Sequence, residues 1–262
     1  MIQRIDHLDD PRVEPYRSLK DRELAAMGDL FIAEGEHLVR RLLASDYPCE
    51  SVLLAERRAG EISPSVPETV PCYVVPDPVM HQIIGYRFHS GVIACGRRKP
   101  KAMLEQVVPR DREKLTLVIC PEIANAENMG AMIRLCAGFG VDGLILGERS
   151  CDPFWRQSVR VSMGTIFRLP YFQSSDLKRD LVRLQKEWRV ELAATVLDDR
   201  AQALADFARA TKLGVLFGNE AQGLDEEIVS ICDHRITIPM KLGTDSLNVS
   251  VAAGIFLYEL TK

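Results

Sequence analysis

Leu115-Thr-Leu-Val-Ile-Cys120, followed by Asn128-Met-Gly-Ala-Met-Ile-Arg-Leu-Cys-Ala-Gly-Phe139 and then by Gly143-Leu-Ile-Leu146, decides the fold. The first run is almost continuously apolar, the pattern of a strand covered on both faces in a parallel sheet. The second places its apolar residues at helical spacing, and the third is a short apolar strand. Strand, helix and strand at these lengths make one βαβ unit. The pattern recurs downstream: Ser175–Trp188 puts Leu177, Leu181, Leu184 and Trp188 on one helical stripe. Strands are expected over Val190–Val196, Leu213–Phe217 and Arg235–Ile238, and a final helix from Ser246. Such alternation predicts the α/β class with a mostly parallel sheet.

Upstream, shorter signals alternate. Pro15 and Gly28 bracket a helical stretch, Phe31–Ala33 reads as a strand, and Glu36–Ala44 as a helix. Strands at Ser51–Ala55, Cys72–Val75 and Gly91–Gly96 surround a loop rich in proline (Pro64, Pro67, Pro71) and a short helix over Pro78–Ile84. The expected division is a smaller α/β domain over residues 1–98, a connection over 99–112 and a larger domain over 113–262. Arg97-Arg-Lys-Pro-Lys101 falls at that boundary, a basic strip suited to phosphate or to solvent.

Composition removes several classes. The 262 residues carry 33 Lys+Arg against 37 Asp+Glu, a net charge of −4. Residues 1–110 hold 15 basic and 16 acidic side chains, the remainder 18 and 21, so neither half is basic. Any nucleic-acid contact would need local clusters, such as Arg97–Lys101 or the pair Arg156 and Arg160. At 47% hydrophobic the chain is not disordered, and its longest apolar stretch, Val249–Leu260, is too short to span a bilayer. The start of the chain has no apolar signal region. The 7 cysteines are widely spaced without a C-x-x-C pair, which favours reduced, buried thiols over disulfides or zinc. A cytoplasmic protein without metal is expected.

Gly138-Phe-Gly-Val-Asp-Gly143 matches a dinucleotide-binding pattern, but a helix precedes it and a strand follows, the reverse of what pyrophosphate binding needs. Gly138 and Gly140 are read as helix-ending residues. Three other stretches resist explanation as packing. Asn125-Ala-Glu-Asn-Met-Gly-Ala-Met-Ile-Arg134 sits where the buried strand gives way to a helix, the zone in which open α/β sheets bind ligands. Leu216-Phe-Gly-Asn-Glu-Ala-Gln-Gly223 ends a strand in glycine, amide and carboxylate. Ile236-Thr-Ile-Pro-Met240 precedes Ser246-Leu-Asn-Val-Ser-Val-Ala-Ala-Gly254, where Ser246 is suited to cap the helix and Asn248 is left unexplained.

In this order, Asn128-x-Gly130-x-x-x-Arg134, Phe217-Gly-Asn-Glu220-x-x-Gly223, and Ile238-Pro-Met with Ser246-Leu-Asn-Val-Ser-Val-Ala-Ala resemble the three motifs of the SpoU (TrmH-type) RNA ribose methyltransferases. Val161-Ser-Met-Gly164 looks like the turn between the first two. Phe31-Ile-Ala-Glu-Gly-Glu36 and His89-Ser-Gly-Val-Ile-Ala94 resemble the substrate-binding domain that precedes the catalytic one in rRNA-directed members. One departure stands out: Asn125-Ala126 occupies the place of the family's usual Asp-Pro.

The resemblance implies a C-terminal trefoil knot, against the general rule that chains avoid knots. It implies S-adenosyl-L-methionine as cofactor, held through backbone at Gly218, Ile238 and Leu247 with Leu216 and Met240 beside them. It also implies methyl transfer to a ribose 2′-OH, rRNA before tRNA, in a homodimer. Arg134, Asn128, Glu220, Ser246 and Asn248 would form the catalytic set. Arg134 is given by the family as a base, but a guanidinium with a pKa above ~12 suits a phosphate clamp better, with phosphate or water taking the proton. Glu220 would pair with Arg134 or Asn128 and fix their rotamers. The competing classes are a non-catalytic RNA-binding or assembly protein and a nicotinamide-dependent oxidoreductase.

Overall fold

The computed structural model describes residues 2–17, 29–85, 88–242 and 246–262. In chain order the elements are β1 (Ile2–Arg4), α1 (Glu14–Arg17), β2 (Leu30–Glu34), α2 (Glu36–Leu43), β3 (Cys49–Ala55), α3 (Glu56–Ile62), β4 (Cys72–Val75), α4 (Asp77–Ile84), β5 (Val92–Arg97) and α5 (Leu104–Val107). There follow β6 (Leu115–Cys120), α6 (Ala126–Gly138), β7 (Gly143–Leu146), α7 (Arg156–Val161), β8 (Tyr171–Gln173), α8 (Leu177–Arg183), β9 (Glu191–Thr195), β10 (Gln202–Ala203), β11 (Lys212–Leu216), α9 (Glu226–Ile231), β12 (His234–Thr237) and α10 (Val249–Leu260). Of the helix expected between Pro15 and Gly28, Glu14–Arg17 is helical. Residues 18–28 lie outside the described ones.

The chain divides into two compact units, Met1–Pro100 with Pro153–Arg168, and Lys101–Asp152 with Leu169–Lys262. The first unit is built on a sheet ordered β1-β4-β3-β5-β2. Its β1–β4 and β3–β4 pairs are parallel and its β3–β5 and β2–β5 pairs antiparallel, so this sheet is mixed. Helix α2 buries Leu38, Val39 and Leu42 at helical spacing. Helix α4 carries Pro78 in its first turn and closes on Gly85 at φ +85°, a left-handed stop that glycine takes without strain.

Residues 153–168 belong to this unit although their neighbours in sequence do not. Phe154 and Phe167 pack on Phe31 with ring centroids 4.9 and 5.6 Å away, and Tyr47 closes the cluster. Arg156 forms an ion pair with Glu34 at 2.7 Å, both side chains mostly buried. Arg41 donates to the Met163 carbonyl. The strip Arg97–Lys101 is drawn into the same packing: Arg97 bonds Glu50 at 2.8 Å, Arg98 lies over Phe154 and Lys99 over Tyr47. Of the two basic clusters, Arg97, Arg98, Lys99 and Arg156 are thus engaged within this unit, whereas Lys101 and Arg160 are exposed.

The second unit carries a sheet ordered β10-β12-β9-β11-β6-β7-β8, parallel throughout. All six residues of β6 are buried, as its continuous apolar run requires. Leu117, Ile119, Ile145, Leu181, Leu184, Trp188 and Leu192 form the core beside it. Each fully buried aliphatic side chain there contributes on the order of 1.5–3 kcal/mol. Trp188 donates its indole N–H to the Val108 carbonyl at 2.7 Å. Leu104 and Val107 of α5, inside the stretch assigned to the connection, join that core. The amphipathic stretch after Ser175 is helical over α8 and then widens into a π turn, Leu184–Trp188. The short strands β1, β8 and β10 carry too few residues for a periodic signal. Among the described residues no helix is long and apolar enough to cross a membrane.

Candidate active site

A parallel sheet ends all its strands at one edge. There the chain leaves β9 through Thr195–Leu197, β11 through Phe217–Leu224 and β12 through Ile238–Met240, and these segments line one cavity of about 570 Å³. Asn128 of α6 and residues 246–249 at the start of α10 complete the lining. The strand order reverses beside β6: β7 and β8 lie on one side, β11 and β9 on the other. Such a reversal is where ligands bind in open α/β sheets.

The wall after β11 is a tight turn. Asn219 and Gly223 exchange both backbone hydrogen bonds at 2.9 Å. The Asn219 side-chain oxygen accepts from the backbone N–H groups of Ala221 and Gln222 at 2.9 and 3.2 Å. A Cβ on Gly218 would stand 2.2 Å from the Gly223 carbonyl carbon, so this position admits only glycine.

Opposite, two helices start with asparagine caps. The Asn125 side-chain oxygen accepts from the N–H groups of Glu127 and Asn128 at 2.7 and 3.1 Å. Asn125 thus keeps the capping function that an aspartate would serve. The Asn248 oxygen accepts from Ser250 and Val251, and α10 begins at Val249. The cap expected at Ser246 is therefore Asn248; Ser246 instead lines the cavity. The Asn248 side-chain N–H donates to the Asn128 oxygen at 3.0 Å, and the Asn128 N–H donates to Glu220 Oε1 at 2.8 Å. The Asn125 backbone N–H also points at that oxygen, at 3.4 Å. Glu220 accordingly pairs with Asn128 and not with Arg134.

Of the residues singled out from sequence, Asn128, Gly218, Glu220, Ile238, Met240, Ser246, Leu247 and Asn248 line the cavity. Leu216 does not: its side chain is in the core, and its carbonyl accepts from the Thr195 hydroxyl at 2.8 Å, holding the wall from behind. Arg134 is exposed on α6, outside the lining. Sequence reasoning missed Thr195–Leu197, Asn219 and Glu226. The end of β9 could have been found by extending to it the strand-end rule applied to β6 and β11. Glu226 lines the cavity and bonds Arg235 at 2.9 Å. The described lining thus includes two carboxylates and no lysine, arginine or histidine. Behind it, burial pushes the Cys120 and Cys136 thiols far up and Cys151 up to about 12, so these sulfurs stay protonated and inert.

Residues 115–258 match the SpoU rRNA Methylase family. The chain is 35% identical to an uncharacterized tRNA/rRNA methyltransferase of Mycobacterium bovis, over 100% of this chain and 92% of that protein. It is 29% identical to the 23S rRNA (guanosine-2'-O-)-methyltransferase RlmB of Acinetobacter baylyi, over 70% of this chain and 75% of the relative. Among solved structures, the AdoMet-bound rRNA methyltransferase from Sinorhizobium meliloti shares the fold at a TM-score of 0.86 and 24% identity, covering 99% of this chain and 97% of that one. With its three motifs meeting at one sheet edge and the family match running across both, the chain belongs to the SpoU rRNA Methylase family.

Proposed function

We propose that this protein transfers a methyl group from S-adenosyl-L-methionine to a ribose 2′-OH in RNA, with rRNA as the preferred pool and tRNA as the alternative. The observation that carries the reading is the cavity's chemistry. Its lining combines backbone from three strand-end turns with two carboxylates and no cationic side chain among the described residues. Two carboxylates suit the positive charge of a sulfonium and repel the negative charge of a pyrophosphate, which disfavours the nicotinamide alternative. Similarity to the Mycobacterium tRNA/rRNA methyltransferase and to the Acinetobacter enzyme supports methyl transfer to RNA, and the latter supports 2′-O chemistry on rRNA. The AdoMet-bound Sinorhizobium structure supports the choice of cofactor.

Gly218, Ile238 and Leu247 would hold the cofactor through backbone groups, with Met240 against its apolar parts. When bound, the cofactor supplies an electrophilic methyl on sulfur. Arg134 makes no hydrogen bond or ion pair among the described residues, which leaves its planar set of N–H donors for an RNA phosphate. That clamp would orient the ribose, while Asn248 and Asn128 hold Glu220 in one rotamer and Ser246 contacts substrate. In this reading the segment joining β12 to α10 is threaded as a trefoil knot. The first hundred residues bind the RNA, and the enzyme works in the cytoplasm. Helix α10 turns Val251, Ile255 and Tyr258 outward at helical spacing, an exposed apolar stripe that supports a homodimer.

The test is incubation of the full chain with S-adenosyl-L-methionine and separate rRNA and tRNA pools, followed by nuclease digestion and mass mapping. A 2′-O-methyl at a defined nucleotide is expected. Absence of methylation in both pools would overturn the reading.

A further inference from the structure

Methyl transfer to a hydroxyl leaves a proton to be placed, and the cavity holds a group suited to take it. Glu220 Oε1 accepts from the Asn128 side chain at 2.8 Å and faces the Asn125 backbone N–H at 3.4 Å. Both donors are uncharged. No cation lies within ion-pair distance of Glu220 among the described residues, and its second oxygen has no partner there. Two other carboxylates near this edge are engaged by cations: Glu226 with Arg235, and Glu122 with Arg149.

The donor chain also fixes which way the acid faces. The Asn248 oxygen is committed to the backbone of α10, so its N–H group must point at Asn128. Asn128 then presents its oxygen to Asn248 and its N–H to Glu220. Two helix caps thereby orient one carboxylate on a residue that lines the cavity, with Oε1 tied down and Oε2 left without a partner among the described residues. A guanidinium has no lone pair with which to accept a proton at neutral pH, whereas a carboxylate has several.

We propose that Glu220 is the general base of the methyl transfer, accepting the ribose 2′-hydroxyl proton on Oε2. This deepens the methyltransferase reading and rests on it. As the O2′–methyl carbon bond forms, the sulfur–methyl bond breaks and its electron pair returns to sulfur, leaving a neutral thioether. The ribose oxygen, momentarily bearing positive charge, releases its proton to Glu220, which becomes a neutral acid and later loses that proton to water. The acidity of an alkylated oxygen makes a carboxylate strong enough to act late in this step. Arg134 then has only the phosphate to hold.

The experiment is single-turnover methyl transfer by the full chain on the RNA pool that the wild type modifies, with cofactor binding followed by calorimetry and RNA binding by filter retention. Glu220→Gln keeps an oxygen for the Asn128 donor but cannot take a proton. It should slow the chemical step by about 10²–10⁴-fold while both affinities stay within about threefold. Glu220→Ala should be slowed comparably and partly restored by added formate or acetate, which a merely positioning role would not allow. A Gln variant within about threefold of wild-type rate, or one whose loss is matched by an equal loss of cofactor or RNA affinity, would overturn the base assignment and leave the methyltransferase reading standing. A wild type that methylates no RNA would overturn both.

Discussion

Asn248 serves two partners at once: its oxygen caps the last helix, and its N–H group reaches 3.0 Å to the side-chain oxygen of Asn128 on another helix. The two roles separate by substitution. Asn248→Ala removes both and should cost about 1 kcal/mol of stability, the usual worth of such a cap, together with most of the methyl transfer. Asn248→Asp retains the cap acceptor but turns an oxygen toward Asn128. It should unfold in urea close to wild type and still lose methyl transfer.

Gly218 has no room for a side chain, since a Cβ would stand 2.5 Å from the Leu224 nitrogen as well as against Gly223. Gly218→Ala must open the turn whose backbone lines the cavity. Calorimetry should show cofactor affinity reduced at least about tenfold, a loss of about 1.4 kcal/mol or more.

The ion pair between Arg156 and Glu34 is mostly withdrawn from water on both sides. Arg156→Ala leaves the carboxylate short of its charged partner and should destabilise the first unit by about 1–3 kcal/mol, read as a lowered urea midpoint. Arg160→Ala, at an exposed position on the same helix, should change the midpoint little.

Arg189 ends the π turn at φ +57°, a left-handed backbone that a side chain disfavours. The residue is exposed. Arg189→Gly should raise stability by about 1 kcal/mol, visible as an increase in Tm.

Burial pushes the thiols of Cys95 and Cys151 up to about 12 from their ordinary 9.0. Both are raised, so the stability they contribute is complete below pH 9 and is lost as the pH climbs through 12. Between those limits each thiol that must ionise on unfolding adds a slope of about 1.4 kcal/mol per pH unit. Urea midpoints measured from pH 8 upward should fall, and Cys95→Ser with Cys151→Ser should flatten the fall. Iodoacetamide at pH 8 should label the folded protein slowly.

Much of the architecture was legible because strand burial leaves a periodic trace. The run Leu115–Cys120 is a six-residue signal for a strand covered on both faces, and it lies inside the second sheet between β11 and β7. What was hidden lacked that trace. β10 spans Gln202–Ala203, too short for alternation. The destination of residues 153–168 depends on Phe154 and Phe167 meeting Phe31, a contact between distant positions that no local pattern records. At the site, residue types marked the strand ends, and eight of the ten selected side chains line the cavity. Which residue caps α10 is decided by where the chain turns. Ser246 and Asn248 are both competent caps, and only the second stands next to the first helical N–H groups.

Because Pro153–Arg168 lodges with Met1–Pro100, the covalent chain passes between the two units three times. A single nick between Pro100 and Lys101 would leave the severed front piece still stitched to the rest, gripped by four aromatic rings and a guanidinium on Glu34. Residues 153–168 stay covalently joined to the second unit at both ends, so cutting the chain at that one place should not separate the pieces on a sizing column.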